Sequence, residues 1–167
     1  MLKGLQTLRR QSASGTLCTV GEDKVKWKRI AIAVDSGACD TVVGPEELPA
    51  YEDRVRETKA SINQVGFVAA NGEEIPNYGE LPVPFCTREG TSRGMVFQVA
   101  GVSKPLASVT KMNEAGHIVV FDGPESFIVN KITGEINALR QEDGNFMLDV
   151  WVPPPSIAEQ AGFHGQP

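Results

Sequence analysis

An apolar segment at residues 30–34 runs directly into Asp35-Ser36-Gly37-Ala38, and this arrangement limits the folds that are open to the chain. Residues 25–29 alternate apolar with cationic side chains, whereas residues 30–34 are continuously apolar. Such a change is typical of a strand that begins at the edge of a sheet and ends in the core. We therefore expect the carboxylate of Asp35 at the floor of a cleft, directly after a buried strand.

The rest of the sequence consists mainly of short apolar segments separated by turn residues. The chain contains 17 Gly and 11 Pro but only 7% aromatic residues, which favours many turns and short strands. Residues 105–115 show the clearest helical pattern, and Gly116 follows them as a C-terminal cap. The sequence thus predicts a mainly β fold with one short helix. Further strands are predicted at residues 17–20, 65–70, 73–75, 81–85, 95–99, 117–121, 126–129, 135–139 and 146–152.

Two dipeptides predict β-hairpins, because Asn71-Gly72 and Asp143-Gly144 each lie between extended segments. In a type I′ turn both central residues have a positive φ, which these residue types tolerate best. The predicted domain covers residues 16–152. Residues 1–15 are expected to be a flexible lead-in, and residues 153–167 a Pro-rich tail with no more than a turn.

The composition argues against several functions. A net charge of −5 is unlike the basic surplus of most nucleic-acid-binding proteins. Cys18, Cys39 and Cys86 are odd in number and widely spaced, which predicts neither a disulfide framework nor a zinc site. No cofactor or metal is expected. Without a secretory signal or an apolar span of about 18 residues, we expect a soluble protein of the reducing cytoplasm, with no membrane contact.

Asp35-Ser36-Gly37-Ala38 has the residue types that peptide hydrolysis by carboxylates requires. Gly37 lets the chain turn and brings backbone N–H groups close to the carboxylate, and Ala38 leaves room for a substrate strand. The chemistry takes two carboxylates, about 3 Å apart and sharing one proton, of which one acts as general base on a water molecule. This chain has one such sequence. The second Asp35 must therefore come from a twin subunit in an isologous dimer.

Three segments resemble the retropepsins, the aspartic proteases of retroviruses and retrotransposons. Residues 30–43 resemble their active-site strand and loop, and residues 69–75 with Gly79 resemble their flap. Residues 102–112 and 116–121 resemble their late apolar pair, helix and following strand, in a form closest to copia-type polyproteins. The resemblance covers residues 25–152. It implies a small closed β-barrel-like retropepsin fold with a flap hairpin and a short helix on the C-terminal side, active as a homodimer.

The resemblance also implies roles for individual residues. Asp35 would be the catalytic acid, Ser36 the interlocking hydroxyl, and Gly37 part of the same catalytic loop. Three residues depart from the retroviral pattern. Ser108 stands in place of Gly, and Cys39 and Val109 stand in place of an Asp–Arg pair. Substrate contacts are implied for seven residues: Ala38, Asp40, Ala70, Asn71, Gly72, Leu106 and Ala107.

The leading hypothesis is an aspartic endopeptidase that binds its substrate as an extended strand, with the surrounding polyprotein as natural substrate. A second hypothesis is a retropepsin-like module that dimerises or binds peptides without turnover. A third, an RNA-associated accessory domain, is disfavoured by the acidic balance. For Asp35-Ser36-Gly37 alone, an Asx-turn that merely ends a strand is the structural alternative.

Overall fold

A computed structural model describes residues 26–161, and in this range the chain consists mainly of strands with a few short helices. The mainly β prediction is confirmed, whereas the strand predicted at residues 17–20 lies outside the described residues. The helices are η1 (Pro49–Arg54), α1 (Lys59–Ile62), α2 (Val109–Glu114), η2 (Gly123–Glu125) and α3 (Pro155–Gln160), of which η1 and η2 are 3-10 helices. The strands are β1 (Lys28–Asp35), β2 (Val42–Val43), β3 (Phe67–Val68), β4 (Glu74–Ile75), β5 (Asn77–Thr87), β6 (Ser92–Ala100), β7 (Leu106–Ser108), β8 (His117–Val120), β9 (Phe127–Asn130), β10 (Ile136–Ala138), β11 (Arg140–Glu142) and β12 (Asn145–Val152).

The largest sheet has seven strands in the order β1-β7-β2-β6-β5-β12-β11. Because β12 also pairs with β1, the strand pairings return to the first strand. Most neighbours are antiparallel, but β1 runs parallel to β7 and β2 runs parallel to β6. β7 therefore lies between the two strands that flank the Asp35 loop, and this placement positions the candidate site.

The core lies between the inward-facing side chains of this sheet. Ile32, Val83, Phe97 and Val150, from four of its strands, have no exposed surface. In β1 the buried positions alternate with half-buried ones up to Asp35, because every second side chain points inward. Each fully buried aliphatic or aromatic side chain contributes about 1.5–3 kcal/mol, so the strand that carries Asp35 is firmly held.

A three-stranded antiparallel sheet, in the order β10-β9-β8, follows the helix α2. Its inner face carries Val119, Ile128 and Asn137, and it packs toward the main core. The strands predicted here are confirmed, but the outer face lacks the polar residues that usually face solvent in such a sheet. Six side chains share that face and all are apolar: Ile118, Val120, Phe127, Val129, Ile136 and Ala138.

The prediction of a helix at residues 105–115 is wrong for the first turn. Leu106–Ser108 forms β7, and α2 begins only after Ser108. The hydroxyl of Ser108 accepts a hydrogen bond from the backbone N–H of Lys111 at 3.4 Å, as a residue at a helix N-cap does. Pairing with β1 and β2 outweighs the helical pattern of residues 106–108. Gly116, with a φ of +84°, ends the helix as predicted.

The C-terminal segment also differs from its prediction. The sequence predicts no more than a turn after the prolines, whereas α3 forms and buries Ala158. The Tyr51 hydroxyl donates a hydrogen bond of 2.7 Å to the carbonyl of Pro153, and Arg54 pairs with Glu159 at 2.6 Å. Burial raises the pKa of Tyr51 to about 12. These contacts fix the segment against η1.

Candidate active site

Asp35 is the last residue of β1 and is half-buried. It lies opposite Ser108 in the parallel pairing of β1 with β7. The backbone N–H of Gly37 donates a hydrogen bond of 2.7 Å to Oδ1 of Asp35, while Ser36 and Gly37 are exposed. The carboxylate is thus oriented by the backbone at the end of a buried strand, within reach of solvent.

Gly37 lies close to the carboxylate of Asp35. A Cβ atom added there would lie 3.3 Å from Oδ1 of Asp35, so the carboxylate would have to give way by a few tenths of an ångström. The predicted role of Gly37, a close approach of backbone N–H to carboxylate, agrees with this geometry. The contact is also an Asx-turn, so the hydrogen bond alone fits either interpretation of Asp35-Ser36-Gly37.

Ser108 ties the Asp35 loop to β7. Ser108 is completely buried, and its hydroxyl donates a hydrogen bond of 2.7 Å to the carbonyl of Ala38. Its backbone N–H donates to Oγ1 of Thr41 at 3.1 Å. Sequence reasoning noticed Ser108 only as a departure, because Ser108 lay inside the helical pattern at residues 105–115 and not at its start, where an N-cap signal is sought.

The far end of the loop is equally well fixed. Thr41 is 3% exposed, and its carbonyl accepts a hydrogen bond of 2.8 Å from the backbone N–H of Gln98. Asp40 is half-buried, and its Oδ1 accepts from the N–H of Thr41 at 2.8 Å. Its other carboxylate oxygen makes no hydrogen bond within the described residues.

Cys39 and Val109 stand at the positions where the retroviral pattern has an Asp–Arg pair. Val109 is half-buried and packs against the core, and Cys39 is exposed and free. Cys86 is buried in β5 and is disulfide-bonded. The expectation from the cysteine spacing that no disulfide forms is therefore wrong for Cys86, because spacing along the chain does not show which thiols the fold brings together.

The hairpin predicted around Asn71-Gly72 is present as β3 and β4, but its turn is not the predicted type. Gly72 has a φ of +85°, whereas Asn71 is outside the positive-φ region that a type I′ turn requires. The N–H of Gly72 donates to the carbonyl of Ala69 at 2.8 Å, and Oδ1 of Asn71 accepts from the N–H of Glu73 at 3.0 Å. The Asn71 side chain thus satisfies a backbone donor, and Gly72 alone takes the left-handed conformation.

The predicted substrate-binding residues fall into separate groups. Ala70, Asn71 and Gly72 lie exposed at the tip of the two-stranded sheet. Ala38 and Asp40 lie half-buried in the Asp35 loop, and half-buried Leu106 lies beside it in β7.

Ala107 has no exposed surface and belongs to the core cluster. Leu106 is therefore the member of this pair that can reach a ligand. Ala107 instead supports the strand from behind.

Residues 26–161 contain no group of three or more His, Cys, Asp or Glu side chains placed to hold a metal ion. In the same range, no helix is long and apolar enough to cross a membrane. Comparisons with protein-family models, curated proteins and solved structures gave no match for this chain. The interpretation of the site therefore depends on its own geometry.

Proposed function

We propose that this chain is one subunit of a homodimeric aspartic endopeptidase of the retropepsin type. The observation that carries the proposal is the support of the Asp35 loop. A half-exposed carboxylate at the end of a buried strand is oriented by Gly37 and held from behind by Ser108. Reactive groups that must keep a fixed geometry are supported in this way, by neighbours whose own positions are locked.

In the proposed dimer, a two-fold axis brings the two Asp35 carboxylates together so that they share one proton. One acts as general base and takes a proton from a water molecule, which attacks the peptide carbonyl carbon. The other donates its proton to the carbonyl oxygen as the tetrahedral intermediate forms. Proton transfer to the amine then lets the carbon–nitrogen bond break. In this proposal Ser36, whose side chain is exposed, bonds across the axis to the twin subunit.

The substrate in this proposal is an extended peptide, bound between the Asp35 loop and the hairpin of β3 and β4. Leu106 and Ala38 offer small apolar contacts on one side, and the exposed tip at Asn71 and Gly72 closes on the other. A two-stranded hairpin is only marginally stable by itself, which suits a segment that opens and closes. The surrounding polyprotein in the cytoplasm remains the proposed natural substrate.

The decisive variant is Asp35→Asn, which keeps the shape of the side chain but removes its charge and general base. We expect cleavage of an unfolded protein substrate between about pH 4 and 7 to fall by at least about 1,000-fold. Asp122→Asn is the matched control, because Asp122 is exposed and caps no helix with its side chain. Both variants should melt at the wild-type temperature. Equal cleavage by wild type and Asp35→Asn would refute the mechanism.

A module that binds peptides without turnover is the second candidate. It is favoured by the single Asp35-Ser36-Gly37 sequence in each chain, since a subunit that stays monomeric cannot form the carboxylate pair. Sedimentation velocity over a wide concentration range distinguishes the two. The protease requires a monomer–dimer equilibrium whose dimer fraction parallels the specific activity, whereas inactive dimers would favour the module.

A further inference from the structure

The outer face of the β8–β10 sheet is apolar and partly open to solvent. Ile118 is 45% exposed and Ile136 is 55% exposed, while Val120, Phe127 and Val129 are half-buried. The inner face packs toward the main core. Strands that are apolar on both sides, as β8 and β9 are, are typical of sheets that are covered on both faces. A partner is therefore expected on the outer face.

The size of the outer face suits one short helix better than a second copy of the domain. Its three strands lie about 4.8 Å apart and have three or four residues each, so the face has a projected area of about 200 Å². A specific dimer buries about 800 Å² on each partner, which is far more than this face offers. A helix of about eight residues is about 12 Å long and about 10 Å wide, and it covers more than half of the face.

The segment at residues 2–9 carries apolar side chains in a matching arrangement. Leu2, Leu5 and Leu8 are three residues apart, so on a helix they fall within a sector of about 120°. The other residues of the segment are polar or Gly, which gives it one apolar side. A helix of this length is marginal by itself, so it requires a surface against which its leucines pack.

The tether of this segment begins close to the outer face. Cys86 is disulfide-bonded and Cys39 is free, which leaves Cys18 as the partner of Cys86 within the chain. Thr87, next to Cys86, accepts a hydrogen bond of 3.0 Å from Asn137 on the inner face of the same sheet. Since packed layers lie about 10 Å apart, the outer face lies about 15 Å from Cys86.

The length of the tether matches this distance. About ten residues separate the segment from Cys18, and a flexible chain of that length has a root-mean-square span of about 17 Å. The local concentration of a tethered segment is highest when its span equals the distance to its site. The chain's own segment therefore has an advantage over any partner that must arrive from solution.

Charges at one end of the outer face also suit this segment. The segment contains Lys3 and Arg9 and no acidic residue. Asp122 and Glu125, in the connection between β8 and β9, are exposed. The connection between β9 and β10, at the other end, carries charges of both signs. Exposed ion pairs contribute little free energy, so charge sets the direction of the segment and the leucines set its affinity.

We propose that residues 2–9 dock as a helix on the outer face of the β8–β10 sheet of the same chain, with Leu2, Leu5 and Leu8 against its apolar side chains. Docking covers a surface that otherwise promotes association. The inference goes beyond the proposed function and uses no step of the chemistry at Asp35, so either can fail without the other.

Leu5→Asp tests the docking from the side of the segment, in the full ¹⁵N-labelled chain without reductant, so that the disulfide stays intact. A charge among the leucines should release the segment. We expect amide shifts at Ile118 and Ile136, and about fivefold faster hydrogen exchange at Val129. Thr7→Asp is the matched control, because it adds the same charge about 160° away on the helix. Equal effects of the two variants, or no effect of either, overturn the inference.

Ile136→Ser tests the docking from the side of the sheet. Ile132→Ser is its matched control, because Ile132 is 93% exposed in the turn after β9 and lies outside the outer face. Neither substitution opens the core. Ile136→Ser should shift the amides of Leu5 and Leu8, whereas Ile132→Ser should not.

The double variant Leu5→Asp/Ile136→Ser shows whether the two residues act on one contact. Its Val129 amide should exchange no faster than in the faster single variant, because each substitution already breaks the same contact. Fully additive effects on exchange overturn the inference.

Dilution distinguishes the chain's own segment from a second copy on the outer face. Docking within one chain does not depend on protein concentration. The difference between wild type and Leu5→Asp should therefore stay the same over about a tenfold dilution. A difference that disappears on dilution identifies a second copy as the occupant and overturns the inference.

Discussion

At the scale of single residues, the Asp35 loop shows how a few polar atoms determine the direction of a carboxylate. The backbone of the loop bends through residues 36–41. Side chains therefore supply part of the hydrogen bonding of its backbone. Ser108 supplies a donor to the carbonyl of Ala38, and Thr41 accepts the N–H of Ser108. Glycine at position 108 could provide only the second of these bonds. Serine at this position therefore holds the loop with one hydrogen bond more than glycine could.

Ser108→Ala removes the donor to Ala38 and the N-cap of α2 while keeping the backbone. We expect a loss of about 1–3 kcal/mol in the free energy of unfolding, because the partly buried carbonyl of Ala38 loses this donor and α2 loses its N-cap. Urea denaturation followed by circular dichroism measures it. Ser126→Ala is the matched control, since Ser126 is also buried and bonds the carbonyl of Gly123 at 2.7 Å.

The two serine variants should differ in activity. Ser126 supports the η2 turn, so Ser126→Ala should lower stability but not the cleavage rate per folded molecule. Ser108→Ala should lower both. An Ser108→Ala protein with wild-type stability would contradict the role assigned to this hydroxyl.

At the scale of elements, a strand could be predicted wherever its own residues form a long apolar segment. The strands that contain residues 81–85, 95–99 and 146–152 are long and largely apolar, and each is present with extended ends. The boundary at Ser108 was not predictable, because residues 106–108 become a strand only through β1 and β2, which are distant in sequence. β11 was missed for a similar reason. Its sequence is polar, and its strand state comes from pairing with β12.

Some features of the candidate site could likewise be predicted from the sequence, and others could not. The motif at Asp35 and the presence of a hairpin at Asn71-Gly72 followed from the sequence. The turn type did not, because Asn71 uses its side chain to bond the N–H of Glu73.

Gly72→Ala tests whether the tip of the hairpin opens independently of the domain. A Cβ at position 72 meets no atom within 4 Å, so the change costs only the left-handed φ of +85°, about 1 kcal/mol. We expect hydrogen exchange of the Ala69 and residue-72 amides to become about fivefold faster, with an unchanged global midpoint in urea.

Gly144→Ala is the control for this prediction, because Gly144 has a φ of +78° and equally open surroundings in the β11–β12 turn. It should accelerate exchange only near its own turn. If the free energy of global unfolding of Gly72→Ala falls by the full amount of about 1 kcal/mol, the hairpin and the domain open together.

At the scale of the whole molecule, one buried carboxylate connects the strands beside β12. Asp149 has a side chain only 4% exposed, and Arg29 from β1 donates to it at 2.9 Å. Arg140 from β11 donates through two nitrogens, at 2.9 and 3.0 Å. Arg88, which follows β5, lies 3.7 Å away. The carboxylate thus connects β11 and β12 with β1, the strand that ends in Asp35, where the strand pairings return to β1.

Asp149→Asn should therefore make the free energy of unfolding less sensitive to a fall in pH. Hydrogen bonds from Arg140 hold the pKa of Asp149 below its usual range, with Arg29 adding to this and burial opposing it. Since the folded pKa lies below the unfolded value of about 3.9, the stabilisation is complete above that pH. It is lost as the pH falls from about 3.9 through the folded pKa.

Urea denaturation from about pH 7 to pH 2.5 measures this difference. Near pH 6, Asp149→Asn should be less stable than wild type by about 1.5–3 kcal/mol, the contribution of hydrogen bonds to a charged group. The gap should narrow below about pH 4, because protonated wild-type Asp149 then resembles the amide. The control Asp122→Asn should have the same free energy of unfolding as wild type at every pH. A gap that stays constant down to the lowest pH would mean that ionised Asp149 does not stabilise the fold through its arginines.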